Sequence, residues 1–289
     1  MFEAAQILAR NSPLSTEMSQ SLCKDLSLAL ARFPKIRLGH LPTPLEPLDR
    51  LSEILGGPRL WVKRDDCTGL SSGGNKTRKL EFSMADAQAQ GADTIVTHGT
   101  MQSNHACQTA AAAAKLGLGC HILLEERSGV VKDSYALSGN ALLNHLHGAC
   151  VSKFEPSVDI SAEIACLANQ LIQDGKTPYI IPTGGSDCVG ALGYVNCARE
   201  LAEQAADFGL EIDALVHAAD SAGTQAGLLV GLAAIQSDIH LLGIGVRAAQ
   251  DQQEQLVFNL AHRTAQHLGT GVKIARKDAV SYTHLTLPT

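Results

Sequence analysis

Along the chain, short apolar runs alternate with segments whose apolar residues recur every three or four positions, as strands alternate with amphipathic helices. Strands are expected at Leu60–Lys63, Thr94–Thr97, His121–Leu124, Cys150–Ser152, Tyr179–Ile181, Ala214–His217 and Leu241–Val246. Helices are expected at Arg78–Gln90, from Ser103 or Asn104 to near Gly117, and at Ser138–Leu146, Ser161–Asp174, Gly190–Asp207, Thr224–Ala234 and Asp251–Leu268. Gly91 suits a helix C-cap, and Pro182 with Gly184-Gly185 closes a strand. Such alternation implies right-handed β-α-β units, an α/β chain with open parallel sheets. The length and the number of strands fit two sheets. Pro42 and Pro44 make Phe33–Glu46 extended and irregular.

The ends depart from this pattern. Met1–Ala31 lacks the basic n-region and continuous apolar core of a signal peptide, so it reads as a short amphipathic helix or a poorly ordered extension. The last stretch, AVSYTHLTLPT at 279–289, has neither amphipathic period nor capping residues. It reads as a foreign end and is set aside from the expected fold.

Composition narrows the function classes. With 45% hydrophobic residues in 289, the chain can build a full core. A net charge of −6 argues against nucleic acid as partner, which calls for a basic face. No apolar run reaches the length of a membrane span. Aromatics are only 4%, whereas Ala and Gly are plentiful, which suits closely packed helices on a parallel sheet. The eight cysteines include no C-x-x-C pair and no zinc spacing, so no metal site is expected. Most lie in apolar patterns and read as buried free thiols of a cytoplasmic protein.

Chemistry gathers at three strand-to-helix junctions, where open α/β sheets hold ligands. In Ser72-Gly73-Gly74-Asn75-Lys76-Thr77-Arg78-Lys79, a glycine turn puts Lys76 at a helix start. The positive helix end and nearby cations favour its neutral, nucleophilic amine. Alone, the stretch reads first as a solvated lysine in a basic helix start. In Gly99-Thr100-Met101-Gln102-Ser103-Asn104-His105, hydroxyl, amide and imidazole meet at a helix N-terminus, suited to an anionic or phenolic group, although ordinary caps would look the same. In Asp220-Ser221-Ala222-Gly223-Thr224, small residues let backbone N–H groups converge on a phosphate; a plain tight turn is the alternative. Neither G-x-x-x-x-G-K-[ST] nor G-x-G-x-x-G is present there. An amine, a polar cap and a phosphate seat together describe a pyridoxal-phosphate site.

GGNKTRKLEF, QSNHACQTAAAAAKLGL, IPTGGSDCVGALGYVNCARELAEQ and SAGTQAGL, in this order, resemble the D-cysteine desulfhydrase and 1-aminocyclopropane-1-carboxylate deaminase family from about Ala31 to Ala275. The resemblance implies a tryptophan synthase β-like fold (fold type II) using pyridoxal 5′-phosphate. It implies two open parallel-sheet domains: 32–78 plus 184–278 as the larger, cofactor-binding one, and 79–183 as the smaller, with 1–31 an extension and 279–289 a tail. In that family the GGNK lysine holds the cofactor, here Lys76. Ser103 and Asn104 would face cofactor and substrate, Ser103 with a catalytic part. Ser221, Ala222, Gly223 and Thr224 would hold the phosphate, with Lys79 as helper. His105, where the cyclopropane deaminases carry glutamine, would line the substrate side and favours the desulfhydrase branch.

The implied activity is a lyase reaction, β-elimination on a small amino acid, D-cysteine giving pyruvate, ammonia and sulfide, by a cytoplasmic homodimer. L-cysteate sulfo-lyase and cyclopropane deaminase are the neighbouring alternatives; a catalytically silent cofactor-binding protein is the alternative of another class. Departures from the family pattern motivate that last reading. Asp220 stands where glycine is usual, Cys107 stands where arginine is usual, and the family continues beyond Ala275 into segments that face the pyridine nitrogen.

Overall fold

The computed structural model describes residues 16–126, 135, 138–246 and 248–283. Among them, four parallel strands form one sheet in the order β5-β4-β3-β6: β3 (Thr94–Thr100), β4 (Gly119–Glu125), β5 (Cys150–Phe154) and β6 (Pro178–Ile181). In register, Val96 faces His121 on one side and Ile180 on the other. Side chains alternate across the two inner strands. Ile95 and Ile122 pack with Leu80 and Met84 of α3 (Lys76–Ala89) and Ala110 of α4 (Asn104–Leu116). Val96 and Leu123 pack on the opposite face with Ile164 and Leu171 of a helix at Ile160–Gln173. Two covered faces explain why these strands read as apolar runs rather than alternating ones.

A second parallel sheet holds β7 (Ala214–Ala219), β8 (His240–Gly245) and β9 (Ser281–Thr283), in that order. Its core is built from the helices at Cys188–Phe208, Gly223–Ala234 and Gln250–Leu268. Small residues let these helices approach. A Cβ at Gly227 would lie 2.3 Å from the Ala191 carbonyl oxygen, and one at Gly193 would lie 2.3 Å from that of Arg78. The abundance of Gly and Ala thus answers a packing need. α3 joins the two cores, giving Phe82 to this one and Leu80 to the other.

Several expectations are corrected. The strand expected at Leu60–Lys63 is β2 (Trp61–Lys63), but its antiparallel pairing with β1 (Leu45–Pro47) as a third sheet and the short helix Asp49–Leu55 were not foreseen. Three-residue strands are too short for a period, and the helix buries no residue. Of Met1–Ala31, Thr16–Leu30 is a helix whose Cys23, Leu26 and Leu30 enter the second core, so the amphipathic alternative holds there; residues 1–15 lie outside the described ones. The end set aside as foreign joins the fold as far as 283. Gly243 pairs with Ser281, and Gln225 Nε2 donates to the Val280 carbonyl oxygen at 2.6 Å. Backbone pairing to an open strand edge needs no amphipathic pattern. Residues 284–289 lie outside the described ones. All eight cysteines are free thiols, but only Cys23, Cys107, Cys120 and Cys197 are buried. Cys67, Cys150 and Cys166 are exposed, in a turn, on an edge strand and on a helix face, and Cys188 is half-buried. Among the described residues no helix is long and apolar enough to cross a membrane.

Candidate active site

The lysine turn is built by left-handed backbone and a glutamine clamp. Gly73 has φ +79°, and a Cβ there would lie 2.0 Å from the Asp66 carbonyl oxygen; Gly74 has φ +133°. Gln108 of α4 accepts from Thr77 N and Thr77 Oγ1, both at 2.8 Å, and donates to the Gly73 carbonyl oxygen at 3.0 Å. This begins α3 at Lys76, two residues before the expected Arg78. Lys76 is half-buried and its Nζ donates to Asn75 Oδ1 at 3.1 Å. Burial brings its pKa down to about 8 against the opposing pull of the Asp220 carboxylate. About a tenth of the amine is therefore neutral at pH 7, far more than for a solvated lysine.

Asn75 is where the three loops meet. Its Oδ1 also accepts from Asn104 Nδ2 at 3.4 Å, and its Nδ2 donates to Thr224 Oγ1 at 3.3 Å. Ser103 N-caps α4, accepting from Ala106 N at 3.2 Å, and Asn104 is exposed at its first turn. A Cβ at Gly99 would lie 2.7 Å from Ser103 Oγ, so the glycine gives the cap its room. His105, expected on the substrate side, is instead buried under the sheet. Thr97 Oγ1 donates to the Ile181 carbonyl oxygen at 2.8 Å, so it accepts from His105 Nε2, also at 2.8 Å. That fixes the tautomer and leaves Nδ1 a bare acceptor with no partner. Burial first, then Lys76 and Lys79, pushes the imidazole pKa well below its usual range and keeps it neutral.

At the far side, Gly223 begins the helix Gly223–Ala234 after Ala222, held at φ +67°. A loop that sequence reasoning does not single out as a site lies against it. Ser186 Oγ donates to Ser221 Oγ at 2.9 Å and accepts from Gly223 N at 3.1 Å. Gly184, at φ +69°, sits where a Cβ would lie 2.1 Å from Ser221 Oγ. Lys79 is fully buried; its Nζ donates to the Gly184 carbonyl oxygen at 2.9 Å and lies 5.9 Å from the centre of the Tyr194 ring. A Cβ on Gly223 would come within 2.8 Å of that Nζ, so the amine borders the helix start. Asn75, Lys76, Asp220, Ser221, Ala222 and Thr224 line a cleft of about 840 Å³ together with apolar residues such as Trp61 and Leu215, and Ser103, Asn104 and His105 lie outside its lining.

Beside the cleft, which Lys63, Asp65 and Tyr194 also line, Arg78 is 1% exposed and makes a bidentate pair with Asp65 at 2.8 and 2.9 Å. It also donates to both Glu200 oxygens at 2.9 Å. Lys63 pairs with Glu200 as well, and Tyr194 Oη donates to Asp65 Oδ2 at 2.6 Å. Asn75, Ser186 and this network had no local signal in the sequence, because their partners are distant along the chain.

Residues 36–284 match the family model described as pyridoxal-phosphate dependent enzyme. Curated relatives include D-cysteine desulfhydrases of Salmonella choleraesuis (strain SC-B67) at 45% identity and Salmonella paratyphi C (strain RKS4594) at 44%, each over 83% of this chain and 72% of the relative. A crystal structure of an ACC deaminase homologue superposes with a TM-score of 0.80 at 35% identity, covering 89% of this chain and 76% of that one. Escherichia coli diaminopropionate ammonia lyase, solved with an aminoacrylate–PLP azomethine intermediate, shares the fold at a TM-score of 0.55 and 19% identity, covering 81% of this chain and 61% of that one. The chain belongs to the pyridoxal-phosphate-dependent enzyme family. It has the fold-type-II architecture expected from its sequence, and it is a lyase similar to the D-cysteine desulfhydrases.

Proposed function

We propose that Lys76 carries pyridoxal 5′-phosphate and that the enzyme eliminates the β-substituent of a small amino acid, D-cysteine foremost. The observation that carries this reading is the meeting at Asn75 of the Lys76 amine, the start of α4 and the Thr224 hydroxyl. The residues fit the cofactor: a partly neutral amine lines the same cleft as a helix start with hydroxyls and a buried lysine beside it. Ser221, Ala222, Gly223, Thr224 and Lys79 are assigned to its phosphate, where backbone N–H groups and the helix dipole favour a dianion. Asn104 is assigned to the 3′-oxygen and Ser103, with Asn104, to the substrate carboxylate at the N-terminus of α4.

When bound, the pyridine ring draws electron density from the substrate Cα and supplies the acidity that elimination needs. Lys76 removes the Cα proton, a step made intramolecular by its position. Sulfide leaves from Cβ. In balance, D-cysteine and water give pyruvate, ammonia and hydrogen sulfide. Buried neutral His105 steadies α4 on β3 through Thr97, a positioning role.

Two cores with separate sheets support a two-domain organisation, 79–183 against 32–78 plus 184–278, although Leu38 and Leu70 pack into the core of 79–183 and α3 crosses the boundary. The free thiols support a cytoplasmic setting, and the family resemblance a homodimer. Purified protein should show the visible absorbance of lysine-bound cofactor, and Lys76→Ala should abolish it; a band that persists rules Lys76 out. D-cysteine, L-cysteate and 1-aminocyclopropane-1-carboxylate, assayed for pyruvate or 2-oxobutyrate, test the substrate; preferential turnover of the cyclopropane acid overturns the branch. Cofactor binding without turnover of any of them would favour the silent protein, a reading motivated by exposed Asp220 next to the phosphate loop.

A further inference from the structure

Lys79 presents a buried amine that the elimination itself does not use. Its Nζ donates to a neutral carbonyl, that of Gly184, and borders Gly223 at the positive end of a helix. Three circumstances there disfavour an ammonium ion: complete burial, the neighbouring Lys76 and the helix dipole. A phosphate dianion at the same helix start reverses the balance, because it places two negative charges beside the amine in a medium of low polarity. We propose that the Gly223 turn binds a phosphomonoester or phosphate dianion together with one proton taken up from solvent, and that Lys79 is the group that carries this proton.

The inference rests on the phosphate seat assigned above and adds a coupling to it. The charged and titratable groups around Lys79 do not mask the effect. Lys76, on the same helix, opposes a charge on Lys79, while Asp187 and Asp220 favour it without outweighing burial. His105 on α4 is held neutral, and His217 on β7 is shifted down mainly by burial. Tyr194 is buried and pushed well above its ordinary range, so it stays a neutral phenol. Binding therefore consumes a proton, and affinity falls about tenfold for each unit by which pH rises between the free and bound values of Lys79.

The test is calorimetric titration of cofactor-free protein with inorganic phosphate and, separately, with pyridoxamine phosphate, which cannot attach to Lys76. It is run at about pH 8.5, above the second phosphate ionisation. Comparing buffers of unlike ionisation enthalpy reads the protons taken up per ligand. The expected result is net proton uptake in the native protein for both ligands, loss of that uptake in Lys79→Gln, and an affinity that falls with rising pH in the native protein alone. Uptake that persists in Lys79→Gln transfers the proton to Lys76 and overturns the assignment. Binding with no proton uptake and no pH slope in the native protein overturns the coupling while leaving the seat intact. Failure of either ligand to bind overturns the seat as well. Should Lys79→Gln not fold, Lys79→Met and the native pH slope decide between the same outcomes.

Discussion

Arg78 and Lys76 leave the same turn of α3 into opposite electrostatic surroundings. Arg78 is buried between Asp65 and Glu200, with hydrogen bonds that fill its guanidinium fork. Lys76, two residues earlier, lines a cleft with an amide as its hydrogen-bond partner and an amine pushed down to about 8. Lys79, one turn on, is more deeply buried and rests on a carbonyl. A cation that meets paired carboxylates becomes a fixed structural pin. One that meets neutral groups keeps a labile proton and hence reactivity. The pin also serves the pocket, because the Arg78 network ties the first turn of α3 to β2 and the helix Cys188–Phe208.

Breaking the pin should give the largest effect. Arg78→Met leaves buried Glu200 with Lys63 as its remaining cation and half-buried Asp65 with hydroxyl donors alone, and should cost about 3 kcal/mol of unfolding free energy, read by denaturant titration. A loss under about 1 kcal/mol would mean the network is not structural. Next comes the reverse change. Lys76→Met removes a poorly solvated amine and should stabilise the cofactor-free protein by about 1–2 kcal/mol at pH 7. With a folded pKa of about 8 against 10.5 for an unperturbed lysine, the native protein sheds this proton before the unfolded chain does. Its stability should therefore rise between those two pH values, and the advantage of Lys76→Met should shrink over the same window. An advantage that grows with pH contradicts the contrast.

Smaller effects sharpen it. Asn75→Ala should weaken cofactor binding about tenfold, the equivalent of one or two hydrogen bonds, measured by equilibrium titration of the absorbance. Unchanged affinity would demote Asn75 to a turn residue. His105→Gln should lower stability by about 1 kcal/mol yet leave the KM for D-cysteine within about twofold. A tenfold KM rise would return His105 to the substrate.

Much of the architecture was legible in the chain itself. Apolar runs marked the inner strands because β3 and β4 are covered on both faces, and GGNK, QSN and SAGT marked the junctions because turns need glycine and helix starts need caps. The helix Asp49–Leu55 and the strand β1 left no mark in the pattern, being too short to show a period, although β2 did. The pairing of Ser281 with Gly243 left none either, because a strand edge recruits backbone, whatever the side chains.

Local sequence alone determined the period of each element, the left-handed turn at Gly73-Gly74 and the presence of a lysine at a helix start. Only the tertiary structure decided the surroundings of each lysine. The protonation of Lys76, Lys79 and His105, and the pairing of Arg78, depend on groups such as Asp220, Gly184, Thr97 and Glu200 that the fold brings beside them. Burial and charge act through space, over a few ångströms, and sequence separation says nothing about that distance.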